Sequence, residues 1–91
     1  MNWKLNIESK AQDDIRWYQA KDSDKYNKCK KLLEEIALEP TKGTGKPERL
    51  KYAGEEEKWS RRVSAKDRIV YRIWRNNKEV GIISCKGHYE D

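Results

Sequence analysis

Apolar and polar residues alternate through Trp3-Lys4-Leu5-Asn6-Ile7, the period of a strand buried on one face. The period then lengthens. Ala11, Ile15 and Tyr18 recur at i, i+4 and i+7 with Trp17 at the edge of the stripe, which predicts a helix opened by Ser9. Gln12, three residues on, has capping-box spacing, and Asp13 and Asp14 suit the positive end of the helix dipole. Tyr26, Cys29, Leu32, Leu33 and Ile36 predict a second helix, with Ser23 as its N-cap and Pro40 as its stop. The short break around residues 21–23 makes the two helices an antiparallel pair.

Beyond Pro40 the pattern shortens again. Thr41 to Pro47 is a loop; its glycines do not make a phosphate-binding P-loop, because Pro47 follows Lys46 where Ser or Thr would open a helix. Glu48 to Tyr52 is short and extended, and Gly54 to Glu57 is an exposed acidic turn. Trp59 to Val63 and Asp67 to Tyr71 form a hairpin around Ser64-Ala65-Lys66. A register with Trp59 opposite Tyr71 puts Trp59, Val63, Ile69, Tyr71 and Ile73 on one face. The same register puts Arg62 opposite Arg68 on the other face. Arg75 to Lys78 is a turn, and Val80 to Cys85, apolar on both faces, is a central strand. The order is β-α-α-β-β-β. This is an α+β fold, two N-terminal helices packed on one face of a mostly antiparallel sheet, in a single domain over residues 1–91. The odd-numbered face of the hairpin meets the helices and the even-numbered face is left open.

Composition changes this picture in one respect. Charged residues make up 41% of the chain and hydrophobic residues 35%, which leans toward disorder, but four Trp and five Tyr supply large rings for a small core. The net charge of +5 suits a polyanion or an acidic protein partner. No apolar run approaches the ~18 residues of a membrane span and the N-terminus has no secretory pattern, so a cytoplasmic protein with no membrane association is expected. Cys29 and Cys85 fall in apolar segments and read as buried thiols. With one His they are too few for a structural zinc site, so neither metal nor cofactor is expected.

Two arginines side by side repel unless water screens them or an anion lies between them. The chain can bring a carboxylate, Glu48, and an imidazole, His88, to the same sheet. Such a set could cleave RNA, which carries its own nucleophile in the 2′-hydroxyl. A carboxylate can act as base, guanidiniums can hold the phosphorane charge, and an imidazole can protonate the leaving oxygen. Tyr89 could stack on a base or fix His88. The plainer alternatives are a loop salt bridge for Glu48 and an idle, exposed His88.

Gly43-x-Gly45-Lys46-Pro47-Glu48-x-Leu50-Lys51, Trp59-Ser60-Arg61-Arg62-Val63, Arg68-Ile69-Val70-Tyr71 and His88-Tyr89, in that order, resemble the YoeB branch of the RelE/ParE toxin superfamily. The resemblance covers nearly the whole chain, closely from Gly43 onward. It implies a toxin of a type II toxin–antitoxin system, with a RelE-like fold, that cuts messenger RNA in the ribosomal A site. It implies Glu48 as general base, His88 as general acid and Arg68 as the residue stabilising the transition state. It assigns Arg62 and Lys51 to phosphate and Tyr89 to a place beside the acid, and Lys46 is expected to contact phosphate with them. It further implies a cognate YefM-like antitoxin, messenger RNA and the ribosome as partners, and admits a homodimer. Two departures bear on His88: Gly87 stands where the family usually has an aromatic residue, and Glu90 and Asp91 follow Tyr89. Those two carboxylates would favour the protonated imidazole. The competing readings are a non-catalytic gyrase inhibitor of the ParE branch, which generally lacks the Glu/His pair, and a simple RNA-binding module.

Overall fold

A computed structural model describes residues 2–51 and 54–87. The elements run β1 (Lys4–Ile7), α1 (Ser9–Lys21), α2 (Ser23–Leu38), β2 (Glu48–Arg49), β3 (Lys58–Arg62), β4 (Arg68–Trp74) and β5 (Glu79–Ser84). They form one five-stranded sheet in the order β1-β5-β4-β3-β2. Only β1 and β5 pair in parallel; the other neighbours are antiparallel. The expected order gains one strand, because the extended segment at Glu48 is a two-residue edge strand in its own right. Among the described residues, no helix is long and apolar enough to cross a membrane.

The hairpin has the expected register, with Trp59 opposite Tyr71 and Arg62 opposite Arg68. Its turn closes where the N–H groups of Val63 and Ser64 donate to the Asp67 carbonyl at 2.9 and 3.1 Å. Val63, Ile69, Tyr71 and Ile73 from the odd face meet Ala11, Tyr18, Cys29, Leu32, Leu33 and Ile36 from the helices, with Val80 and Ile82 of β5 beside them. Each such burial contributes about 1.5–3 kcal/mol, so this seam holds the helices to the sheet. Cys29 and Cys85 are free thiols within it.

Four local expectations change. The N-cap of α1 is Glu8, with no side-chain cap bond, and Gln12 reaches back to the Ile7 carbonyl at 2.8 Å instead. Asp22, not Ser23, caps α2, its carboxylate accepting from the Lys25 N–H at 3.2 Å, while its own N–H closes α1 on Tyr18. Asp14 takes the buried place in the α1 stripe and Ile15 is only half-buried, so Asp14 serves something other than the helix dipole. The even face is not uniformly open: Ser60 and Val70, paired opposite each other, are each 2% exposed. They sit between Lys58 and Arg72 on one side and Arg62 and Arg68 on the other, and long cationic side chains can cover apolar surface with their stems.

β5 carries one irregularity. Val70 pairs with Ser84 and Tyr71 with Ile82, so Ile83 is an extra residue, a bulge. Val80 and Ile82 face the core on alternate positions. The bulge switches the parity, so the next inward residue is Cys85 rather than Ser84. The chain leaves the sheet bent toward α1.

Candidate active site

Pairing places three of the expected residues together. Glu48 of β2 stands opposite Ser60 of β3, and Ser60 stands opposite Val70 of β4. Partners across a ladder share a face, so Glu48, Ser60, Arg62, Arg68 and Val70 share the even face. Glu48 and Arg62 are diagonal neighbours, about 7–8 Å apart at Cα. Small, buried Ser60 lies between them as a floor. Glu48 and Arg62 are exposed and Arg68 is half-buried. Lys46, exposed and with a φ of +50°, precedes β2, and exposed Lys51 follows it. Leu50, 7% exposed, anchors this edge with its N–H on the Lys58 carbonyl at 2.9 Å.

A residue the sequence reading passed over builds the approach to Glu48. Arg61 is odd-numbered, so it points with Trp59 and Val63 toward the helices, and it is fully buried. A buried guanidinium must have its donors met. Its Nη2 donates to the carbonyls of Glu39 and Lys42, both at 2.7 Å, its Nη1 to that of Thr44 at 3.2 Å, and its Nε to the Tyr71 hydroxyl at 3.2 Å. That hydroxyl donates in turn to the Pro40 carbonyl at 2.6 Å. The loop leaving α2 is therefore wound around one side chain. Glu35 closes the ring, 3.4 Å from Nη1 and accepting from the Thr44 hydroxyl at 2.6 Å and N–H at 2.8 Å. Those two bonds from Thr44, with Arg61 behind them, hold its carboxyl below the usual range against a smaller desolvation cost. Gly43 passes so close, at φ +126°, that a Cβ there would stand 2.5 Å from Glu35 Oε1 and 2.8 Å from Arg61 Nη1. The loop ends where the Arg62 N–H donates to the Gly45 carbonyl at 2.7 Å. The signal was present in the sequence: strict alternation from Trp59 puts Arg61 in the apolar row.

His88, Tyr89, Glu90 and Asp91 lie outside the described residues. The described chain ends at Gly87, whose carbonyl accepts from the Arg68 N–H at 3.0 Å and whose N–H donates to Asp67 Oδ1 at 2.8 Å. Asp67 Oδ2 accepts from Lys25 Nζ at 2.9 Å and Ser64 Oγ at 3.1 Å. Burial would raise the Asp67 carboxyl, but the bonds from Lys25, Gly87 and Ser64 outweigh it and hold it below its ordinary value.

The model of the YoeB-like toxin of bacterial type II toxin–antitoxin systems matches residues 7–89 of the chain. The chain belongs to this family. Toxin YoeB of Synechocystis is 39% identical over 77 residues, which span 85% of this chain and 86% of that one. The solved YoeB/ParE toxin from Agrobacterium tumefaciens superposes with a TM-score of 0.83 at 34% identity, covering 94% of this chain and 99% of that one. YoeB of Staphylococcus aureus, 30% identical, has been solved as a dimer, with a TM-score of 0.83, and in a heterotetrameric complex with the antitoxin YefM, with a TM-score of 0.78; each covers 98% of this chain and all of that one. This YoeB-like toxin thus has the RelE-like fold that its residue pattern implied. What it adds is the detail of how its own sequence holds the two segments that flank the even face.

Proposed function

We propose that this YoeB-like toxin is an endoribonuclease that cleaves messenger RNA in the ribosomal A site by metal-independent general acid–base catalysis. The observation that carries the reading is the register that sets Glu48, Arg62 and Arg68 on one solvent-facing end of the sheet, with the chain before His88 tied to Arg68. Glu48, exposed beside cations, takes the proton of the 2′-hydroxyl. Arg68, with Arg62 opposite it, holds the charge of the pentacoordinate phosphate, which resolves the juxtaposition of two guanidiniums. His88 protonates the leaving 5′-oxygen, and Tyr89 stacks on a base or steadies the acid. Lys46 and Lys51 contact flanking phosphates. The small, open site draws positioning of the RNA from the ribosome, which places the reaction in the cytoplasm. The Staphylococcus aureus structures support a YefM-like antitoxin as the neutralising partner and a homodimer as a second assembly.

Single-turnover cleavage on programmed ribosomes tests this. Glu48→Ala and His88→Ala should each lose about two orders of magnitude or more while remaining folded. On free RNA, which is cut more slowly without the ribosome to position it, EDTA should leave the cleavage rate unchanged. Wild-type cleavage by either variant sinks the assignment, and toxicity without cleavage would favour the gyrase-inhibitor reading.

A further inference from the structure

Past Ser84 the β4–β5 ladder has ended, yet the chain is held tightly. Three consecutive N–H groups donate to carboxylates. Those of Cys85 and Lys86 reach Asp14 Oδ2 at 2.9 and 3.1 Å, and that of Gly87 reaches Asp67 Oδ1 at 2.8 Å. The carbonyls are engaged too, Cys85 by the Tyr18 hydroxyl at 2.7 Å and Gly87 by the Arg68 N–H at 3.0 Å. Asp14 and Asp67 are 6% and 8% exposed. Each has a counter-ion: Lys10 Nζ stands 2.7 Å from both oxygens of Asp14, and Lys25 Nζ 2.9 Å from Asp67 Oδ2. Asp67 divides its work, one oxygen for the backbone and the other for Lys25 and Ser64.

Burying two carboxylates costs stability unless their bonds are complete, and a hydrophobic plug would close this end of the core more cheaply. What a carboxylate does that a hydrophobe cannot is fix a peptide plane by its N–H. Gly87 has a φ of +96°, and within the described residues nothing lies within 4 Å of the place a Cβ would take, so this residue is held by its backbone alone. The two bonds of Gly87 go to Asp67 and to the neighbouring Arg68 of β4.

We propose that Asp67, backed by Asp14, is a positioning residue: it fixes the peptide that precedes His88 against Arg68, so that the acid and the charge-holding arginine address the same phosphate. The inference rests on the reading in which His88 is the general acid. A misplacement of about 1 Å can cost on the order of 10²-fold in rate. Losing one of several restraints should cost about 10-fold.

The experiment deletes the bond from either side. Asp67→Ala removes the acceptor and Asp67→Asn keeps an oxygen for Gly87. Cys85 allows ligation of a synthetic segment 85–91 onto residues 1–84, in which an ester replaces the amide between Lys86 and Gly87 and so removes the donor with every side chain intact. Lys25→Met is the control: it strips Asp67 of its lysine and lowers stability without freeing the Gly87 N–H. The expected result is single-turnover cleavage down about 10-fold in Asp67→Ala and in the ester protein, with RNA affinity within about threefold of wild type. Asp67→Asn should recover most of the rate and Lys25→Met should keep it. Wild-type cleavage by the ester protein overturns the proposal whatever Asp67→Ala does, including failure to fold. The reading beneath it fails separately, if His88→Ala cleaves at the wild-type rate.

Discussion

The two segments that flank the even face are held by opposite charges. The loop before Glu48 winds around a buried guanidinium, and the segment after β5 rests on two buried carboxylates. The difference follows from which backbone groups turn inward. A helix ends with unpaired carbonyls, and the loop leaving α2 aims those of Glu39, Lys42 and Thr44 at the core, where only donors can meet them. Beyond the bulge at Ile83 the chain instead turns its N–H groups inward, where only acceptors serve. Arginine meets the first need with five donors in one rigid fork, so one residue suffices. A carboxylate is smaller, and the second need takes Asp14 from α1 and Asp67 from the hairpin turn together.

Breaking the single centre should do the most damage. Arg61→Ala orphans three carbonyls around a cavity and leaves the Tyr71 hydroxyl only its bond to Pro40, so a loss of about 3–5 kcal/mol in urea unfolding is expected. Arg61→Lys should recover only part, because one ammonium cannot reach all four acceptors. On the other side, Asp14→Ala frees two N–H groups and should cost about 2–3 kcal/mol, less because Asp67 still holds Gly87. Equal losses at Arg61 and Asp14 would mean that the two segments are not held as differently as their bonds suggest.

Two glycines sharpen the contrast. Both have positive φ, so alanine strains the backbone at either by about 1–2 kcal/mol. At Gly43 the new methyl also meets Glu35 and Arg61, whereas at Gly87 it meets open space among the described residues. Gly43→Ala should therefore destabilise by about 2–4 kcal/mol and Gly87→Ala by about 1–2 kcal/mol. Thermal melts of the two variants side by side check this, and a reversed order would contradict the packing around the loop.

How much of this could be read from residues alone depended on parity. The hairpin register was legible, because five apolar residues on odd positions fix which face is buried. The pairing of Arg62 with Arg68 followed from it, and with the edge segment at Glu48 so did most of the even face. Arg61 was lost because an arginine in an apolar row reads as a solvated interruption; its partners are carbonyls, which leave no mark in a sequence. Asp14 was lost for a related reason. An acid early in a helix has a ready explanation in the dipole, and its true partners are N–H groups about 70 residues away. The bulge was hidden because Val80 to Cys85 is apolar on both faces, so nothing in the pattern registers a change of parity. The N-cap of α2 shifted by one residue because Asp22 could serve both helices at once.

The smallest expected effect separates the segments by acid. The loop before Glu48 hangs on backbone carbonyls that accept from a guanidinium, with no carboxylate among those bonds. Asp67 does titrate. Despite the cost of its burial, its bonds to Lys25, Gly87 and Ser64 depress its carboxyl in the folded state. Its contribution is therefore complete above the ordinary aspartate value near 3.8, and is lost as the pH falls below that value through the depressed one. Glu35 behaves in the same way on the loop side, but Arg61 keeps that loop wound when Glu35 protonates. Hydrogen exchange in acid should then open the Gly87 amide before the Arg62 amide that bonds Gly45. In Asp67→Asn the Gly87 amide should lose this extra acid sensitivity, because the amide oxygen accepts without titrating. Gly87 and Arg62 amides that open together, in the wild type and in Asp67→Asn alike, would show that acid loosens the whole sheet edge rather than the carboxylate-held segment.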